Sequence, residues 1–199
     1  MKKDMDQPEN RPRGRPRDEK THRAILLAAL SELKKSGFRT LTMDQIADAA
    51  KVGKMTIYRR WPNKATLVMD AFLEIIGPGT EFPEAKTVIG RIQKQLLLQT
   101  DFFNGQHGQI VKALIGEAQF NEELEEAFLN RWLRPRRAMT QKILELGVEK
   151  GELSIDNYDL AIDLLYGPFY YRLILKSAKL DKTFALEALR HWLKAFGKP

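Results

Sequence analysis

Residues 51–67, KVGKMTIYRRWPNKATL, carry five cationic side chains and no acidic one. Val52, Ile57, Trp61 and Leu67 recur among them at roughly helical spacing. A helix that buries those four must turn Lys54, Met55, Thr56, Tyr58 and Arg59 outward. The chemistry open to such a face is electrostatic and hydrogen-bonding recognition of a polyanion: cations neutralise phosphates, and hydroxyl groups suit groove and phosphate contacts. The alternative is a solvated basic face, but ordinary surface helices mix signs, and residues 51–69 carry one sign only.

Bond-making chemistry has no comparable constellation. There is no cysteine, so thiolate catalysis, thiolate metal sites and disulfides are excluded. His22, His107 and His191 lie far apart without ligand spacing. No Gly-rich phosphate loop, nucleophile elbow or H-E-x-x-H is present, and the carboxylates of NEELEEAF (121–128) suit a helix N-terminus. Neither an enzyme, nor a metal, nor a cofactor is expected.

Charge is distributed unevenly. Residues 1–70 hold 16 Lys+Arg and 9 Asp+Glu, a net +7; the remaining 17 basic and 17 acidic residues cancel. The N-terminal third is therefore expected to meet a polyanion and the rest not. No apolar run is long enough for a bilayer, and the N-terminus lacks the apolar core of a secretory signal, so a reducing cytoplasm and no membrane are expected.

The elements that must position these residues are all helical. Residues 1–17 are polar, rich in Pro and Arg, and read as a disordered arm. From Asp18, the stripe Ile25, Leu26, Ala29, Leu30 and Leu33 predicts a helix stopping at Gly37. Thr42 and Gln45 have capping-box spacing for a second helix, the basic stretch forms a third, and Asn63 caps a fourth running to Gly77. GPGTEFP (77–83) reads as a break. Helices are then expected at 84–103, 108–119, 122–150, 156–178 and 182–196, with a kink or restart at Pro135 and a kink at Gly167-Pro168. The expected architecture is all-α, with an arm (1–17), a three-helix helix-turn-helix domain with its connecting helix (18–76) and a C-terminal helical domain (84–199).

LTMDQIADAAKVGKMTIYRRWPNKATLV (41–68) resembles the DNA-binding motif of the TetR family of bacterial transcriptional regulators. Thr42, Ile46, Ala47, Ala50, Val52, Thr56, Tyr58, Trp61, Lys64 and Leu67 fall on the family pattern in register. The resemblance implies a transcriptional regulator, usually a repressor, that binds a palindromic operator in double-stranded DNA as a homodimer and is released by a small-molecule effector. Thr42, Tyr58 and Lys64 would contact phosphates; Lys54, Met55, Thr56 and Arg59 would face the groove floor. Two positions depart from the pattern. Lys51 stands where glycine is usual, at a cost of about 1 kcal/mol if φ is positive, and Gly53 replaces a serine cap. An architectural DNA-binding protein without an effector is the alternative, distinguished by a lower specificity ratio.

RPRGRPR (11–17) resembles an AT-hook core, in which Arg13, Arg15 and Arg17 would enter a narrow A·T-rich minor groove. The alternative is a basic leader of non-specific affinity. In the C-terminal part, aromatic or polar groups within apolar stripes are candidates for an effector pocket: Phe102, Phe103, His107, Phe128, Trp132, Tyr166, Tyr170 and Arg172. Each such residue taken singly is more often structural. Apolar residues of the last two helices, with Leu165, Phe169, Leu173, Leu189, Trp192 and Phe196 as candidates, would pair two copies as a four-helix interface.

Overall fold

The computed structural model of the chain describes residues 15–76 and 82–198, with side chains over 18–74 and 82–198. Ten α-helices make up nearly all of its regular structure: α1 (Arg15–Thr40), α2 (Met43–Ala50), α3 (Lys54–Tyr58), α4 (Lys64–Ile76), α5 (Val88–Asn104), α6 (Gln106–Ala118), α7 (Glu122–Phe128), α8 (Arg134–Glu149), α9 (Tyr158–Leu175) and α10 (Lys182–Phe196). A π-turn, Leu129–Leu133, joins α7 to α8. The chain divides into two compact units, Met1–Ala71 and Phe72–Pro199, with the boundary inside α4.

In the first unit, Ile25, Leu26, Ala29, Leu30, Ile46, Ala47, Ile57, Trp61 and Leu67 form the core. α1 begins at Arg15, three residues before its expected start, so residues 15–17 are helical; residues 1–14 lie outside those described. Pro16 is tolerated there because the first helical N–H groups have no intrahelical partner, and Asp18 favours the first turn. The helix breaks at Gly37 (φ 75, ψ 168), a conformation open mainly to glycine.

Caps fix both ends of α2 and the start of α4. Thr42 and Gln45 cap each other: Gln45 N donates to Thr42 Oγ1 at 3.2 Å, and Thr42 N donates to Gln45 Oε1 at 2.8 Å. α2 stops at Lys51, which takes the left-handed conformation (φ 55, ψ 44). Asn63 Oδ1 accepts from Thr66 N at 2.9 Å and opens α4.

In the second unit several boundaries differ from the expected ones. α5 starts at Val88 because Thr87 caps it and the Glu152 carboxylate accepts from both Val88 N and Ile89 N, each at 3.0 Å. The helix expected over 122–150 is α7, the π-turn and α8. Pro135, in the first turn of α8, has no N–H to donate to the carbonyl four residues back, and the widened turn lies immediately before it. α9, in contrast, runs through Pro168 as one helix and ends at Lys176, the second left-handed lysine. Close packing of α5 and α6 requires Gly108, where a Cβ would stand 1.8 Å from the Phe103 carbonyl oxygen.

Candidate nucleic-acid interface and ligand cavity

α3 is a single short helix with one buried anchor, Ile57, and a largely exposed remainder. Met55 is 79% exposed and Tyr58 48% exposed, large apolar and aromatic areas for a free surface. Arg59 is exposed beside them, and Thr56 is half-buried. Lys54 is exposed and bonds to Asp44 Oδ2 of α2 at 2.5 Å, which holds its ammonium above the usual lysine range. The Thr42 hydroxyl oxygen caps α2 and leaves its proton free to donate outward.

The five cations of 51–67 do not form one continuous outward stripe. Arg60 pairs with Asp18 of α1. Lys64 donates to three main-chain carbonyls, Phe38 O at 2.9 Å, Arg39 O at 3.2 Å and Leu41 O at 2.9 Å. Its ammonium also lies 4.7 Å from the Phe38 ring centroid. An ammonium has three protons, so all are engaged within the protein. In the free chain Lys64, expected at a phosphate, instead ties the start of α4 to the α1–α2 connection. Trp61 is anchored by its indole N–H to Asp70 Oδ2 at 2.8 Å and stacks on His22 at 5.2 Å. Of the arm, Arg13 lies outside the described residues, and Arg15 and Arg17 stand on the first turn of α1.

The second unit contains a cavity of about 460 Å³ between α5, α8 and α9. Each helix contributes a ladder of every fourth residue: Gln95, Gln99 and Phe103 from α5; Trp132, Arg136 and Thr140 from the π-turn and α8; Ile162, Tyr166 and Tyr170 from α9. Such spacing keeps side chains on one helix face. Of the eight expected pocket residues, Phe102, Phe103, Trp132, Tyr166 and Tyr170 line it.

The other three do not line it. His107 stacks behind Phe102, at 5.2 Å between ring centroids. Phe128 packs on the side of Trp132. The Arg172 guanidinium lies 3.5 Å over the Phe184 ring and bonds to the Lys179 carbonyl, so it serves the α9–α10 corner. Sequence reasoning missed Gln95, Arg136 and Thr140, although the fourfold spacing of Trp132, Arg136 and Thr140 was the signal available.

Polar groups in the cavity are shifted by their surroundings. Burial pulls the Arg136 guanidinium down to about 10. Burial likewise pushes the Tyr166 phenol up to about 12 and raises that of Tyr170. All three keep their usual protonation near neutral pH.

The six expected dimer residues are buried within the single chain. Trp192, for example, donates its indole N–H to Ala161 O at 2.8 Å. Buried within one chain, these six side chains are not on the free surface of α9 and α10. The outward apolar residues are Leu160, Leu164, Tyr171, Ile174 and Leu175 of α9 and Leu186 of α10, each at least 42% exposed.

Comparison with known proteins follows the same division. Residues 25–71 match "Bacterial regulatory proteins, tetR family", and residues 83–191 match "Tetracyclin repressor-like, C-terminal domain". The uncharacterized HTH-type transcriptional regulator YdeS of Bacillus subtilis (strain 168) is 39% identical over 184 residues, 92% of each chain. The crystal structure of the TetR family transcription regulator SCO0332 superposes with a TM-score of 0.74 at 26% identity, covering 88% of this chain and 97% of that one. The transcriptional regulator FadR of Bacillus subtilis, solved in complex with stearoyl-CoA, shares the fold with a TM-score of 0.67 at 20% identity, over 85% and 96%.

Proposed function

This chain belongs to the tetR family of bacterial regulatory proteins, DNA-binding transcriptional regulators and not enzymes, and from that premise we propose that it is a repressor that binds a palindromic operator as a homodimer and is released by a small molecule held in the α5–α8–α9 cavity. The observation that carries the operator reading is the exposure of Met55, Tyr58 and Arg59 on a helix anchored from behind by Ile57. In this reading Lys54, Met55, Thr56 and Arg59 face base edges, and Thr42 and Tyr58 contact phosphates. Lys54 exchanges Asp44 for DNA, and Lys64 supports the turn from within. Arg13, ahead of α1, and Arg15 and Arg17, on its first turn, approach the minor groove. Residues 18–76 then form the DNA-binding part and 84–199 the dimerising and effector-binding part.

One recognition helix reads few base pairs, so two symmetric copies are required for useful specificity. The outward apolar stripe of α9, with Leu186 of α10, supplies the self-complementary face. A cavity that reaches Trp132 supports effector control, and stearoyl-CoA bound in FadR is an instance of a ligand held by a protein of this fold.

Selection of binding sites from random DNA with the purified full chain tests the operator reading. The expected product is a two-fold-symmetric site whose half-sites lie about one helical turn apart. Enrichment of asymmetric sites, or of A·T content without a defined sequence, would overturn it.

A further inference from the structure

Resting on the reading of the cavity as an effector site, we propose that its ligand is a flat aromatic carboxylate, with the carboxylate on Arg136 and a ring hydroxyl on Gln95. The lining is ring-rich, and aromatic walls favour a flat apolar body. Among the described residues three charged side chains line the cavity, Arg136, Arg137 and Asp163. Arg137 is committed to Asp159, at 2.8 Å, and to Asp163. Arg136 has no carboxylate partner among the described residues. Its guanidinium lies 3.3 Å over the Trp132 ring, and its one protein hydrogen bond runs from Nη1 to Trp132 O at 3.3 Å. Even drawn down to about 10 it stays charged at neutral pH. A half-buried cation without a carboxylate partner is partly desolvated, and a ligand anion offsets that cost.

The charge count selects the kind of anion. Asp159 and Asp163 neutralise Arg137, and among the described lining residues Arg136 is the positive charge without an acidic partner. A carboxylate matches it. A phosphate monoester, carrying about −1.5 to −2 at neutral pH, would bring charge that no further lining cation meets.

The hydroxyl groups divide between occupied and available. Thr140 Oγ1 donates its one proton to Arg136 O at 2.9 Å, so at the 3.3 Å contact between Thr140 and Tyr166 the phenol is the donor. Tyr170 accepts from Trp132 Nε1 at 3.3 Å and keeps its own proton, a second donor for the carboxylate. Gln95 Oε1 is buried without a partner, an acceptor that calls for a donor on the ligand.

The test is calorimetric titration of the full chain with 2-naphthoate, 6-hydroxy-2-naphthoate, 2-naphthamide and 2-naphthylmethylamine. Naphthoate is expected to bind at least about tenfold more tightly than the amide, because hydrogen bonds to a charged partner are the stronger ones. Arg136→Gln should erase that preference, and Arg136→Lys should keep part of it. The hydroxyl should strengthen binding in the wild type and not in Gln95→Met. Equal binding of naphthoate and amide, tighter binding of the amine, naphthoate affinity unchanged in Arg136→Gln, or no binding of any probe would each overturn the assignment. If Arg136→Gln fails to fold in a thermal melt, the wild-type comparison of carboxylate with amide decides. Naphthoate binding that leaves operator affinity unchanged supports this ligand class and overturns the release mechanism instead.

Discussion

The Phe72 ring lies 5.0 Å from the Trp132 ring, tilted by 42°. Phe72 stands on α4, the helix that follows α3; Trp132 carries the Arg136 guanidinium and lines the cavity. One indole is therefore shared by α4 and the cavity. On the proposed reading, a ligand that prefers a different Trp132 position acts on α4 by its differential affinity for the two arrangements.

Phe72→Leu should weaken that link while keeping the core filled, at a cost of about 1 kcal/mol. Operator affinity without ligand should persist, and the loss of affinity on adding 2-naphthoate should shrink, as followed by fluorescence anisotropy. An undiminished response would place the coupling elsewhere.

Lys64→Ala should unfold more easily by about 2–3 kcal/mol, since it removes a charged donor to three carbonyls. The salt dependence of operator binding should keep its slope. A slope shallower by about one, with unchanged denaturation midpoint, would restore a phosphate contact to this residue.

Lys51→Gly should stabilise the protein by about 1 kcal/mol, because a lysine at φ 55 is strained and glycine is not. Thermal melts of the two proteins measure it. Lower stability in the glycine variant would show that the lysine side chain contributes more than its backbone costs.

Leu164→Glu should convert a dimer of twice 22.9 kDa into a monomer in light scattering without loss of helix, as the residue is half exposed on the α9 stripe. Leu165→Ala, one position away and buried, should instead cost about 2–5 kcal/mol of stability. The reverse assignment of the two effects would move the interface to the other face.

Carboxylate affinity should fall as pH rises through about 10. Arg136 is protonated below that value and loses its charge above it, so the anion is held only on the acid side. Binding of the neutral amide should stay flat over the same range in calorimetry.

The helix-turn-helix was legible because its signals are local. Thr42 and Gln45 cap across three residues, Asn63 caps α4, and Ile57 and Trp61 keep helical phase with the core. The start of α5 was not, because the group that caps it beside Thr87 is Glu152, more than sixty residues later.

Composition, capping and periodicity determined by themselves that the chain is helical, that its excess charge is N-terminal, and which short helix presents a one-signed segment. These follow from nearest neighbours along the chain, where backbone hydrogen bonding and side-chain phase are set. Only the tertiary structure decided the fate of individual groups within those segments. Lys64 turned inward because three carbonyls of the α1–α2 connection converge on it, and Arg136 has no carboxylate partner among the described residues because Asp159 and Asp163 reach Arg137 instead. On α9, Leu165 went to the core and Leu164 to the surface. α9 is apolar on both faces, so its own pattern does not say which face packs; the neighbouring helices do.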